Sequence, residues 1–225
     1  MDHPYAGSNP PPFMKSLFSP QQTACDANYP VLMRQSVTNH VHPPKGGLEM
    51  AMPVLIAIGA MWLSVAIFFL GKGEPKGTGA ITGFVGAVTV LGAILQAAVF
   101  KDPFVAGLLF AHGILYCAVS YALLTGLEDL RSVGNVSLYT ALVSVIYMVL
   151  FFTGGPVLEG GKLLVVKSNY LAFACAGYAI LTFEVWLNGY GKFPSSLLAW
   201  SLIVWVVFGL WVPSFYMMTG GCFPF

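Results

Sequence analysis

The stretch from Gly107 to Phe152, GLLFAHGILYCAVSYALLTGLEDLRSVGNVSLYTALVSVIYMVLFF, most narrows what this chain can become. Two predominantly apolar segments of roughly 20 residues each flank the polar turn GLEDLRS, and at about 1.5 Å per residue either one spans a bilayer core of about 30 Å as a helix. So short a turn sends the chain straight back. The stretch therefore reads as a transmembrane helical hairpin. Of the 225 residues, 57% are hydrophobic and only 8% charged, whereas soluble domains carry about a quarter charged. A water-soluble fold does not fit. The net charge of +1 gives no electrostatic case for nucleic acid as a partner.

Further spans follow on either side. Span 1 is expected over Leu48–Leu70, with Pro53 tolerated in its first turn. After GKGEPKG (71–77), span 2 is expected over Thr78–Phe100, with Gly79, Gly83 and Ala87 four apart and Ala93 and Ala97 likewise. Small residues at that spacing let helices approach closely in lipid, so this face reads as packing. Span 3 is expected over Val105–Leu124, span 4 over Asn135–Thr153, span 5 from about Leu164 to Leu187, and span 6 over Ser195–Met218. The spacing predicts an all-α bundle of three antiparallel hairpins, with both termini on one side. Lys72, Lys76, Arg131 and Lys192 lie on one face of the membrane, and Lys45, Lys101, Lys162 and Lys167 on the other. That balance leaves orientation undecided by charge.

The membrane domain thus covers 48–218, between an arm at 1–47 and a short tail at 219–225. No apolar segment follows the start, so span 1 is expected to act as its own insertion signal. SNPPP, FSP, NYP and HPP rule out regular helix in the arm. Two readings stand for it: a solvated tail, or an extended segment docked through Tyr5, Phe13, Phe18, Tyr29 and Leu32.

Ionisable groups at membrane depth are costly and are default functional candidates. His112 sits mid-way along span 3, either packed neutral against a backbone carbonyl or lining a pore. Glu184 lies near the end of span 5, at the interface or at a pore mouth. One carboxylate and one histidine make no proton relay, and the sequence holds no nucleophile set or phosphate loop, so catalysis is not expected. His40 and His42 form H-x-H without a third ligand nearby, and the cysteines lack metal spacing, so neither a metal nor a cofactor is expected. Without the broken helices of coupled transporters, an uncoupled passage selected by lining groups fits best.

Several residues together resemble the AmiS/UreI family of bacterial amide and urea channels. They are GLLF (107–110) followed by Leu115-Tyr116, the turn GLEDLR, Ser137-Leu138, LGKGEPKG with TGFVGA, Phe183-Glu184, Gly191-Lys192-Phe193 and Val212-Pro213. The resemblance implies a six-helix protomer with its own pore, in a hexameric ring whose centre is filled by lipid, in the bacterial cytoplasmic membrane with both termini outside. It implies pore lining by Leu55, Ile58 and Trp62 on span 1 and by Phe110 and Ile114 on span 3, with Glu184 at the mouth. His112, about 200° from Phe110 on a helix, is then expected to pack between helices. The family's span 5 tryptophans are replaced here by Ala172, Cys175 and Ala179, with Tyr178 as the aromatic lining, which points to a wider or less polar passage. The family's Asn-Gly pair in span 1 is replaced near Val65-Ala66, and its Glu-Gly in span 6 is absent. With both ends outside, Cys25 and Cys222 share an oxidising compartment, and a disulfide between them is expected. The implied function is passive passage of small neutral solutes such as short-chain amides or urea. The alternative is an accessory subunit of a larger membrane assembly on the same scaffold.

Overall fold

The computed structural model describes residues 46–157, 161 and 163–215. These form six helices: α1 Gly46–Phe69, α2 Pro75–Ala98, α3 Pro103–Thr125, α4 Arg131–Thr153, α5 Asn169–Gly189 and α6. Helix α6 starts at Ser195 and runs through a π-helical stretch, Val206–Trp211, to Phe215. Helices α2 to α6 are each long and apolar enough to cross a membrane, and α1 carries a shorter apolar stretch, Pro53–Phe69. Cys25, His40, His42 and Cys222 lie outside the described residues.

Caps, more than hydropathy, set where the helices begin. The Glu74 carboxylate accepts from the backbone N–H groups of Lys76 and Gly77, and Pro75 takes the first helical position. Helix α2 therefore starts inside the GKGEPKG turn and not at Thr78. Asp102 does the same for α3, accepting from the Val105 N–H at 3.0 Å ahead of Pro103. Helix α5 starts at Asn169 and not near Leu164, because Ser168 caps it by accepting from the Leu171 N–H at 3.2 Å. The segment before it is drawn into a loop by an antiparallel bridge between Val157 and Leu163.

Each helix packs on its neighbours in sequence, and α6 packs back on α1, so the six close a ring. The short turns join α1–α2, α3–α4 and α5–α6, yet the closest packing lies across them, between α2 and α3 and between α4 and α5. Small residues explain the α2–α3 contact. A Cβ on Gly83 would lie 2.5 Å from Ser120 Oγ, and one on Gly113 2.7 Å from Val90 Cγ2. Gly79 and Gly83 pack as expected, but the face continues through buried Gly86 while Ala87 is exposed. Buried hydroxyls tie the ring across helices: Ser120 Oγ donates to the Gly79 carbonyl at 2.7 Å and Ser137 Oγ to the Thr182 carbonyl at 2.6 Å.

Pro213 accounts for the irregular part of α6. Lacking an N–H, it leaves the carbonyl four residues back, that of Gly209, without its helical partner. The Tyr170 hydroxyl of α5 donates to that carbonyl at 3.3 Å. Immediately upstream the helix widens to π geometry, the Val212 N–H reaching back to the Val207 carbonyl. Two indole rings then fill glycine faces. A Cβ on Gly177 would lie 1.8 Å from Trp205 Cζ2, and one on Gly59 2.4 Å from Trp211 Nε1.

Candidate functional site

In a bilayer the apolar side of a helix faces lipid and the polar side faces protein or water. Helix α3 obeys that rule. Phe110, Ile114, Cys117, Tyr121 and Leu124 form an exposed stripe at helical spacing, whereas His112, Tyr116 and Ser120, each four apart, are buried. Phe110 and Ile114, each 43% exposed, therefore face out of the protomer, and His112, 4% exposed, faces in. This reverses the expectation drawn from the GLLF likeness. The angular separation of the two faces holds, but the inner face is the one carrying the polar groups. A stripe of His112 and Ser120 at i and i+8 was the available signal in the sequence.

The inner faces of α1, α3 and α5 meet in an aromatic cluster. Trp62 of α1 stands edge-on to Tyr116 of α3, with ring centroids 6.5 Å apart, and to Tyr178 of α5 at 5.5 Å, with interplanar angles of 85° and 86°. His112 lies against Tyr178 at 5.0 Å and Tyr116 at 6.1 Å. Edge-to-face contact sets the positive rim of one ring against the negative face of the next. Ile58 is buried in the same cluster and Leu55 packs half-buried against it. Of the lining residues expected on α5, only Tyr178 reaches this centre. Ala172 and Cys175 pack instead with Phe151 of α4 in a second cluster, and Ala179 is buried four residues on from Cys175. The reason is helical phase: Tyr178 is about 300° on from Cys175, and so about 60° off its face.

The polar atoms of this centre are incompletely used. His112 Nδ1 lies 3.0 Å from the Leu108 carbonyl oxygen. A carbonyl only accepts, so Nδ1 is the protonated nitrogen, and in the neutral ring Nε2 carries a lone pair. That Nε2 is buried without a hydrogen-bond partner. The Tyr116 hydroxyl, beside the Trp62 ring, likewise makes no hydrogen bond of normal geometry. Glu184 lies elsewhere, half-buried between α5 and α6, one oxygen accepting from Ser201 Oγ at 3.3 Å and the other buried without a partner. An apolar groove of about 350 Å³ opens on the outer side of α4 and α5, lined by Met148, Phe152, Phe173 and their neighbours, away from the aromatic centre. Among the described residues no cluster of three or more His, Cys, Asp or Glu side chains is placed to hold a metal ion.

A sequence model of the AmiS/UreI family transporters matches residues 50–221. The chain belongs to the AmiS/UreI family. It is accordingly a multi-pass membrane protein of a transporter family. Two solved structures share the fold. The cryo-EM structure of the Helicobacter pylori urea channel in a closed state is 20% identical, with a TM-score of 0.65 over 76% of this chain and 99% of that one. The crystal structure of the urea channel from the same gastric pathogen is 20% identical, with a TM-score of 0.62 over 74% of this chain and 96% of that one. None of the curated proteins compared with the chain matches it in sequence. Within the AmiS/UreI fold, the ring of six helices places the α1–α3–α5 aromatic cluster where the inner faces converge.

Proposed function

We propose that this AmiS/UreI chain is a passive membrane channel for small neutral solutes, short-chain amides or urea, each protomer having its own path between α1, α3 and α5. The observation that carries this reading is the aromatic cluster of Trp62, Tyr116 and Tyr178 with His112 at the centre of a closed helical ring. Flat rings suit a planar, uncharged solute that slides between aromatic faces. Among the described residues no Asp, Glu, Lys or Arg is fully buried, so a permeating ion would find no buried counter-charge there, and its desolvation would go uncompensated. Membership of a transporter family, and the likeness in fold to channels described as carrying urea, support the same reading.

Residues Leu55, Ile58, Trp62 and Tyr178 belong to the proposed lining, joined by His112 and Tyr116. Glu184, in the α5–α6 seam, is proposed at the mouth of that path. Protomers are proposed to assemble as a hexameric ring around lipid in a bacterial cytoplasmic membrane, with both termini outside. There Cys25 and Cys222, in the arm (1–47) and the tail (219–225), are proposed to pair. Intact mass with and without reductant tests the pairing, and no gain of about 2 Da on reduction refutes it.

The functional test is osmotic swelling of proteoliposomes carrying the full chain, in urea, acetamide and propionamide. Faster swelling than empty vesicles in at least one of the three is expected. Impermeability to all three overturns the channel reading.

A further inference from the structure

Among the described residues, one nitrogen of His112 is buried without a hydrogen-bond partner. His112 is 4% exposed, held between Tyr116 and Tyr178, and its Nδ1–H is committed to the Leu108 carbonyl. That bond fixes the ring plane and tautomer, and leaves Nε2 as a bare acceptor in an aromatic enclosure. A buried acceptor left unmade is unfavourable, and such a group in a native protein calls for a functional or solvent partner to explain it. The Tyr116 hydroxyl, on a ring whose centroid is 6.1 Å from that of His112, is also buried without a well-formed bond.

Resting on the channel reading above, we infer that His112 is a specificity-determining residue, its Nε2 accepting a hydrogen bond from the N–H of a carboxamide or urea held among Trp62, Tyr116 and Tyr178. The Tyr116 hydroxyl donates to the carbonyl oxygen of the same solute. This pairing selects solutes that carry an N–H beside a C=O. A molecule of the same class without the N–H, such as N,N-dimethylacetamide, leaves Nε2 unpaired and gains nothing there. Sites that hydrogen-bond a polar group reject analogues lacking it far better than apolar pockets discriminate by size. A phenylalanine at 112 keeps an aromatic ring in the cluster but removes the acceptor, so the ring contacts and the hydrogen bond are separable.

Two measurements on the full chain test this. The first compares wild type and His112→Phe in proteoliposomes, with acetamide and N,N-dimethylacetamide as solutes. Acetamide permeability is expected to fall about fivefold or more in the variant, relative to dimethylacetamide, which is roughly the effect of one buried hydrogen bond. An unchanged ratio of the two overturns the inference while leaving the channel reading intact. The second records nitrogen-15 histidine spectra of the wild-type protein in lipid, with the His112 signals identified by their loss in the variant. An unprotonated Nε2 that shifts with added acetamide is expected. A protonated Nε2, or one indifferent to acetamide but already bonded, overturns the inference. If wild type passes no amide while Nε2 still responds to acetamide, binding at His112 stands and the channel reading fails.

Discussion

Placing a methyl group on Gly177 tests how tightly the α5–α6 seam is built. The added Cβ would lie 1.8 Å from Cζ2 and 2.1 Å from Cη2 of Trp205, whereas carbon atoms rest at about 3.5 Å or more. The indole must therefore retreat by more than about 1.5 Å. It has little room, since a Cβ on Gly209 would stand only 2.3 Å from its Cε2, and the Phe173 ring lies 5.1 Å away on α5. Overpacking of this kind costs about 1–3 kcal/mol, and the better helix propensity of alanine returns about 1 kcal/mol. Gly177→Ala should therefore be net destabilising by about 1 kcal/mol, up to about 2. In a Trp205→Leu background the clashing ring atoms are gone, only the propensity gain remains, and the same substitution should become neutral or stabilising by up to about 1 kcal/mol. The coupling between the two sites is then about 1–3 kcal/mol. Reversible unfolding of the four proteins by detergent titration in bicelles, followed by far-ultraviolet circular dichroism, measures it. Additive effects, or a stabilised single variant, would refute the packing argument.

Tyr170→Phe removes the donor to the Gly209 carbonyl that Pro213 leaves open; it should destabilise by about 1 kcal/mol, and by less when Pro213 is also replaced by alanine. Equal cost in both backgrounds, in the same unfolding assay, would break the link between the proline and the tyrosine. Ser120→Ala deletes the bond to the Gly79 carbonyl and should lower stability by about 0.6 to 1.7 kcal/mol, the range of interhelical hydrogen bonds in lipid; a gain in stability refutes it. In the α3–α4 turn, the side-chain hydrogen bonds of Arg131 hold the Asp129 carboxyl down at about 2. Because the folded value is depressed, this contact helps stability above the ordinary carboxylate range near pH 4 and is lost as pH falls through about 2. Carbon-13 titration of Asp129 showing a midpoint at or above about 4 would contradict that sign.

The outer limits of the fold follow from composition and periodicity alone. Apolar runs of bilayer length joined by turns such as GLEDLRS leave helical hairpins as the available solution, since lipid satisfies no backbone hydrogen bonds. Helix starts were legible only in part. Glu74, Asp102 and Ser168 are cap residues visible in the sequence, but hydropathy runs past or short of them, and the placement of α5 also depends on the Val157–Leu163 bridge, a contact between loop residues. The candidate site divides in the same way. Trp62 and Tyr178 are buried in the central cluster, while Phe110 and Ile114, which the family likeness carried onto the lumen face, are exposed on the far side of α3 from His112, because a short apolar motif such as GLLF does not say which face of its helix is enclosed. His112 with Ser120 does say so, but only once lipid is taken as the outside solvent. What the chain alone determined was its membrane class and its hairpin order. Which side chains meet at the centre depended on how glycines let α2 close on α3 and α4 on α5, since helix rotation is set by contacts between segments far apart in sequence.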